Sequence, residues 1–418
     1  MREMKDSGVP WIGEIPNTWR VFRNKNVFSC SKDIVGGDFA STQLLSLTTK
    51  GIKLKSQDAT GGKVPESFET YQLVRKQQLV MCLFDLDCSA VFSGLSPYDG
   101  MISPTYKVLD CIGVSPVFAD YWFSFVFDNR KFKHYAKNLR YTLNYDEFAV
   151  LPIVCPSIEH QRRIADFLDA KCAEIDAILE NTRASIEEYK ALKMSVITES
   201  VTKGIRGERP MRDSGVEWIG AIPADWDVMK IKWLLKERND RSEEGYEEPL
   251  SMSQKFGIIP TKDMDMVPNM ASSFVGAKLV YRGDLVFNKL KAYLGVFAVS
   301  EYEGLVSPDY AVYYSAGRCD VKYLERIFKT PQYISEFRKR STGVGAGLTR
   351  LYTSDLFDMY TALPSETEQK EISAYLDEKC ATIDSLIASK EALIAELEAY
   401  RKSIIYEYVT GKKEVPAV

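Results

Sequence analysis

Few side chains in this sequence could do bond chemistry, and their spacing brings none of them into a working set. Histidine is limited to His134 and His160, which leaves almost no candidates for a Ser–His–Asp relay. The eight cysteines, at 30, 82, 88, 111, 155, 172, 319 and 380, contain no Cys-x-x-Cys pair. Tetrahedral zinc needs clustered thiolates and imidazoles, and this supply is too scattered. The cysteines read instead as reduced, mostly buried thiols of a cytosolic protein. No Gly-x4-Gly-Lys-Ser/Thr loop is present to cradle a nucleotide, and no Asn-Pro-Pro-Tyr string of the kind expected for adenine methylation. Gly343-Val344-Gly345-Ala346-Gly347 lacks the full dinucleotide spacing and is expected to be a flexible surface loop near a ligand. Asp377-Glu378-Lys379 looks like part of a nuclease carboxylate set, but it falls in a helical heptad and reads as a solvated helix face.

The elements that carry these residues occur twice. Residues 4–21 read MKDSGVPWIGEIPNTWRV and residues 211–228 read MRDSGVEWIGAIPADWDV, an offset of 207. Residues 156–176, PSIEHQRRIADFLDAKCAEID, return at 364–384 as PSETEQKEISAYLDEKCATID, an offset of 208. Between these islands only echoes survive, such as Gly100-Met101-Ile102-Ser103-Pro104-Thr105-Tyr106 against Gly304-Leu305-Val306-Ser307-Pro308-Asp309-Tyr310. A repeated frame around a diverged middle suits two heads that read two different targets. Asp6/Asp213 and the tryptophans 11/19 and 218/226 read as structural anchors where each half meets the long helices. Mixed short strands and helices are expected in each head, with helices over 117–133 and 321–340.

Residues 157–203 and 365–410 contain neither Pro nor Gly. Ser365 followed by Glu368 predicts a capping box, and Ser157 can cap the first copy. Leu168, Cys172, Ile175, Leu179, Thr182, Ile186, Tyr189, Lys193 and Val196 step by four and three throughout. Leu376, Cys380, Ile383, Ile387, Lys390, Ile394, Leu397, Arg401 and Ile404 do the same. This predicts a sustained heptad seam with polar residues at matching positions in the two copies. The two helices can pair antiparallel about a pseudo-two-fold axis, or each can dock on its own globular half. A rod of fixed length would set the distance between two binding heads.

The 418 residues carry a net charge of −4, with 45% hydrophobic and 27% charged residues, ordinary for globular protein. The long helical segments hold −2 and −3 of that charge, which leaves the heads near neutral. Non-specific phosphate binding by such heads would be weak without local clusters or a basic partner. The polar opening Met1–Asp6 has no apolar stretch behind it, and no run of about 18 apolar residues occurs, so neither a signal peptide nor a membrane span is expected.

The motif Asp-Ser-Gly-Val-x-Trp-Ile-Gly-x-Ile-Pro-x-x-Trp at 6–19 and 213–226 resembles type I restriction–modification specificity subunits. So does the helix entry Pro-Ser-x-x-x-Gln…Ile…Leu-Asp-x-Lys-Cys…Ile-Asp. The resemblance covers essentially the whole chain, in order and twice. It implies an α+β fold of two similar mixed α/β target recognition domains, joined by two long helices that form an antiparallel coiled coil with a pseudo-two-fold internal repeat. The expected boundaries are 1–156 and 204–364 for the recognition domains, and 157–203 and 365–412 for the spacer helices. Each domain would read one half of a bipartite, asymmetric double-stranded DNA site. The helices would set the spacer and dock two modification (methyltransferase) subunits, and restriction (motor–nuclease) subunits would join them. The family places S-adenosylmethionine, ATP and Mg on those partners, with no cofactor in this chain and no catalysis of its own.

Arg, Lys, Asn, Gln, Ser and Thr read base edges, and Lys and Arg meet phosphates. In the first half the candidates are Thr48, Thr49 and Lys50, with Lys53 and Lys55, and then Arg140, Tyr141 and Asn144. In the second half they are Ser253, Gln254 and Lys255, then Asn288, Lys289, Lys291 and Tyr293, and Arg350 just after the glycine-rich loop. The segment 288–295 resembles one common in these recognition domains. Two other classes compete with a DNA reader. A self-sufficient nuclease or methyltransferase would need a cofactor or metal motif. A coiled-coil scaffold would account for the helices but not for two heads of like frame and unlike surface.

Overall fold

The computed structural model describes residues 2–56, 67–87, 92–136, 141–253, 256–264, 273–343 and 349–416. Helices α1 (Pro116–Asp128), α2 (Tyr145–Ala149), α3 (Ile158–Lys203), α4 (Val321–Phe328), α5 (Pro331–Arg340), α6 (Thr353–Phe357) and α7 (Glu366–Val409) alternate with short antiparallel strands, an α+β arrangement. The chain divides into two compact units, 1–183 with 391–418, and 184–390. Each unit therefore takes part of both long helices.

In the first unit, Phe28–Cys30, Lys107–Cys111, Leu79–Met81 and Ser93–Leu95 form a four-stranded antiparallel sheet in that order. One face packs on α1 through Phe28, Leu79, Phe118, Trp122 and Phe123. The other face covers a smaller cluster under the hairpin Leu45–Thr48/Gly51–Leu54, built on Leu45, Leu47, Ile52 and Val80. The second unit repeats this plan. Leu235–Arg238, Ala311–Ser315, Leu285–Phe287 and Phe297–Val299 form its sheet, and Leu250–Ser253/Gly257–Pro260 its hairpin. Strands whose residues alternate between two buried clusters are apolar on both faces, as Leu79-Val80-Met81 and Leu285-Val286-Phe287 are.

The helices of the heads are shorter than the periodicity suggests. The expected helix over 117–133 ends at Asp128, because Arg130 adopts a left-handed φ of 51°, and a 3-10 turn Lys131–Tyr135 comes next. The expected helix over 321–340 breaks into α4 and α5 at Pro331, which has no N–H to continue the ladder and sits at the first position of α5.

The long helices run as the seam predicts. Leu168, Cys172, Ile175, Leu179, Thr182 and Ile186 are buried, as are Leu376, Cys380 and Ile383, while Ile387 and Ile394 are half-buried. In the first unit Arg183 meets Glu398 at 2.8 Å and Arg401 meets Asp176 at 3.5 Å, so the two helix segments run antiparallel there. In the second unit Lys193 reaches Asp384 at 2.6 Å, and the Lys390 ammonium lies 5.7 Å from the centre of the Tyr189 ring, again antiparallel. The helix starts also dock on their own heads, Leu168 in the first core and Leu376 in the second, so both packing modes expected from the sequence are present. The buried Thr182 hydroxyl donates to the Ile178 carbonyl at 2.7 Å, satisfying itself within its own helix. Both helices stop at a glycine in the left-handed region, Gly204 (φ 77°) and Gly411 (φ 72°). Among the described residues, no helix is long and apolar enough to cross a membrane.

Candidate nucleic-acid interface

In the second half, Asn288, Lys289 and Arg350 come together. The Asn288 side chain accepts the Leu290 N–H at 3.1 Å and fixes the turn at the end of the strand. The Lys289 carbonyl accepts the Leu351 N–H at 3.0 Å, which holds the short hairpin Thr342–Gly343/Thr349–Arg350 beside it. Arg350 contacts Asp309 at 3.3 Å, and its Nε is buried with no partner among the described residues. Burial pushes the Lys289 ammonium below its ordinary pKa, helped by the nearby Lys278 cation. Lys278 itself is buried and paired with Glu237 at 3.0 Å. The Lys289 and Arg350 cations thus both lie near the Asp309 carboxylate. Lys291 is exposed, and the Arg338 guanidinium lies 5.8 Å from the centre of the Tyr293 ring. Ser253 stands elsewhere, at the end of the satellite hairpin, with its hydroxyl accepting the Phe256 N–H at 3.3 Å. Gln254, Lys255 and residues 344–348 of the glycine-rich loop lie outside the described residues.

The first-half candidates are more dispersed. Thr48 and Gly51 close the hairpin, with Thr49 and Lys50 exposed at its tip. The Thr48 hydroxyl donates to the Gly51 carbonyl at 2.7 Å and accepts the Lys50 N–H at 3.2 Å, so it is committed to the turn. Lys53 and Lys55 are exposed on the second strand and just past it. Tyr141 adopts φ 47°, its carbonyl accepts the Leu86 N–H, and Lys133 sits 4.4 Å from its ring centre. Asn144 caps α2 in a full capping box with Glu147, each bond 2.9 Å. Arg140 lies outside the described residues.

The tip Thr48–Gly51 opens on a groove of about 970 Å³, walled by Ser93–Leu95, α1 and the first unit's share of the long helices. Asp120 of α1 lines it, accepts the Leu95 backbone N–H, and is pushed by burial up to about 6. The second unit has an equivalent groove of about 410 Å³, where Glu325 accepts the Val299 N–H at 3.2 Å and also pairs with Lys329 at 2.5 Å. Ser124 holds the Lys329 position in the first unit.

The sequence reading missed a pair of joints at the helix starts. The Asp6 and Asp213 carboxylates accept the Gly8 and Gly215 N–H, Trp19 and Trp226 are buried, and Trp11 and Trp218 are half-buried. The capping-box expectation at Ser365 needs correction. Glu368 does donate its N–H to Ser365 at 3.3 Å, but its carboxylate is bound to Arg209 at 2.5 Å and to the Trp226 indole N–H at 3.3 Å. In the first unit His160 occupies the Glu368 position and packs edge-on to Trp19 with centroids 5.8 Å apart. Arg2 lies over the same indole. The repeat offset itself, Arg2 to Arg209 and His160 to Glu368, was the available signal. Among the described residues no cysteine pair forms a disulfide; Cys82, Cys155, Cys172 and Cys380 are buried, and burial pushes Cys155 up to about 12. Among the described residues, no group of His, Cys, Asp and Glu could hold a metal.

No family model matches the sequence. The chain is similar to the type I restriction enzyme MjaVIII specificity subunit of Methanocaldococcus jannaschii, 23% identical over 281 residues, 64% of this chain and 63% of that protein. It is also similar to the putative MjaX specificity subunit of the same organism, 24% identical over 295 residues, 68% and 65% of the two chains. The match thus spans just under two thirds of each relative's length. Two solved structures share the fold. One is a chain from a study of complex assembly and conformational transition of the type I R-M system, with TM-score 0.69, 14% identity, and 96% and 99% coverage of the two chains. The other is the HsdS subunit of Thermoanaerobacter tengcongensis, with TM-score 0.51, 15% identity, and 96% and 98% coverage.

Proposed function

We propose, from the premise that this chain belongs to the type I restriction–modification specificity-subunit family, that it is the non-catalytic DNA reader of such a complex. Its two heads, 1–156 and 204–364, each read one half of a bipartite, asymmetric duplex site. The helices over 157–203 and 365–412 set the unread gap and dock two modification subunits, and restriction subunits join that core. S-adenosylmethionine, ATP and Mg belong to those partners, in the cytoplasm. The observation that carries this reading is the repeat: one sheet, one satellite hairpin and one helix entry built twice, around candidate contact groups that differ. In the second half Lys289 and Arg350 make the reading cluster, on the turn that Asn288 fixes, with Lys291 and Tyr293 beside it. In the first half Thr49, Lys50, Lys53 and Lys55 are exposed and have no structural task among the described residues, while Thr48, Tyr141 and Asn144 do. Base edges need just such a few donors on a rigid support. The test is to exchange residues 20–150 for the matching part of another specificity subunit and determine the sites methylated by the assembled complex. One half-site should change and the other persist at an unchanged gap. A change in both would refute modular reading.

A further inference from the structure

The near-neutral heads leave open which groups hold the DNA backbone, and the internal repeat offers a way to find them. Two heads that read different bases still meet the same phosphates. Base-reading chemistry should therefore differ between the halves, and phosphate-binding chemistry should recur. A pair of cations recurs at one position of the fold. Arg23 ends the strand Arg20–Arg23, and Lys25 lies in the adjoining 3-10 turn Asn24–Asn26. Lys230 ends the strand Asp227–Lys230, and Lys232 lies in the turn Ile231–Trp233. The buried anchor between the two cations has changed, Asn24 in one half and Ile231 in the other, yet both cations remain.

Both turns are tied to the short helices beside them by hydrogen bonds. Asn24 donates its N–H to Leu151 at 2.9 Å and its side-chain amide to Phe148 at 3.0 Å. Ile231 donates its N–H to Met359 at 2.9 Å. Phe148 belongs to α2, and Met359 lies just past α6, the short helices entered directly from the candidate segments at 141–144 and 349–352. Arg23, Lys25 and Lys232 are exposed, and among the described residues none forms a salt bridge. Lys230 pairs with Asp358, whose carboxyl is held below its ordinary value first by that bond and also by Lys232 and Arg340. Arg340 just precedes the hairpin that carries Arg350. In the first half the Asp358 position is Val150, so that pair is unopposed.

We propose that Arg23 with Lys25, and Lys230 with Lys232, are matched clamps for the phosphates of duplex DNA, one in each head, serving every target sequence alike. The proposal rests on the DNA-reading function above. The two pairs are not equal: Asp358 partly neutralises the second, so the first carries more of the backbone affinity.

The test measures equilibrium binding of the full chain, in complex with modification subunits, to a methylatable target duplex and to a random-sequence duplex across a salt series. R23A/K25A should lower both affinities by the same factor, about tenfold at moderate salt, and flatten the log–log salt slope by about 2. K230A/K232A should do the same more weakly. D358N should raise both affinities about threefold, since it removes an anion from the phosphate's path. R23K/K25R should keep the slope, which separates lost charge from a misfolded head. Wild-type target binding with an unaltered slope in R23A/K25A would overturn the clamps while leaving the reader intact. Loss of modification-subunit docking at unchanged DNA affinity would overturn them too, in favour of a protein contact. Absence of any duplex binding by the wild-type complex would remove the reading function and the clamps together.

Discussion

The two joints between head and long helix share one design and differ in one residue. In the second unit the Trp226 indole N–H and the Arg209 guanidinium converge on the buried carboxylate of Glu368, and Arg206 stands within 3.8 Å of it. In the first unit the matching place belongs to His160, and the buried Trp19 indole N–H has no acceptor among the described residues. Burial pushes the His160 imidazole below its ordinary pKa, and the nearby Arg2 and Arg163 cations act in the same direction. One joint is thus an ion pair closed against water. The other sets an imidazole edge-on to an indole, beside an Arg2 cation that forms no salt bridge among the described residues. The difference shows that this joint is held by burial of the tryptophan, with the ion pair added in only one copy.

Glu368→Ala should cost the second unit about 3 kcal/mol, because it leaves Arg209 and the Trp226 N–H without their acceptor in a buried site. Urea denaturation of the full chain, monitored by Trp226 fluorescence with the other five tryptophans replaced by Phe, reads it directly; a loss below about 1 kcal/mol would mean that water replaces the carboxylate freely.

His160→Glu offers the first unit the missing acceptor. It should raise that unit's melting transition by a few degrees, corresponding to about 1 kcal/mol, and calorimetry would show it. A lowered transition would mean that the imidazole's edge-on packing against Trp19 outweighs the new bonds.

The paired grooves give a third step. Asp120 has a folded-state pKa raised to about 6, above its ordinary value of 3.8. The native state therefore keeps a proton that the unfolded chain releases, and the resulting destabilisation grows as pH rises from about 4 to 6, then stays constant. Asp120→Asn should gain stability over wild type across that window. Ser124→Lys, which copies the Lys329 partner, should lower the Asp120 pKa and flatten the profile. A pH-independent difference between Asp120→Asn and wild type would contradict the burial account.

The smallest effects belong to the exposed seam pairs. Asp384→Ala should cost under about 0.5 kcal/mol, and Glu398→Ala the same, since each pair is half in solvent.

Much of the fold is legible in the residues alone. The step of the seam from Leu168 to Val196, with no Pro or Gly, dictates a long helix, and its repeat at Leu376–Ile404 dictates a partner. The frame motifs mark where each half begins because they are glycine turns and tryptophans whose spacing tolerates little change. The candidate contacts are legible only in kind. Asn144 could be a base reader or a helix cap by its type, and only its bonds to Glu147 decide that it caps. Asn288, Lys289 and Arg350 meet through the Leu351 N–H bond to the Lys289 carbonyl, across some 60 residues of chain, and local spacing does not report such contacts. The breaks at Arg130 and Pro331 shorten helices whose apolar pattern continues past them.

The central claim is that one chain reads two different short sequences at a fixed separation. The direct test is selection from a random-sequence duplex library by this chain co-expressed with a type I modification subunit, with sequencing of the bound DNA. The account predicts two unlike motifs at one constant gap. A well-formed complex that enriches no sequence would contradict it and would make the chain a coiled-coil scaffold.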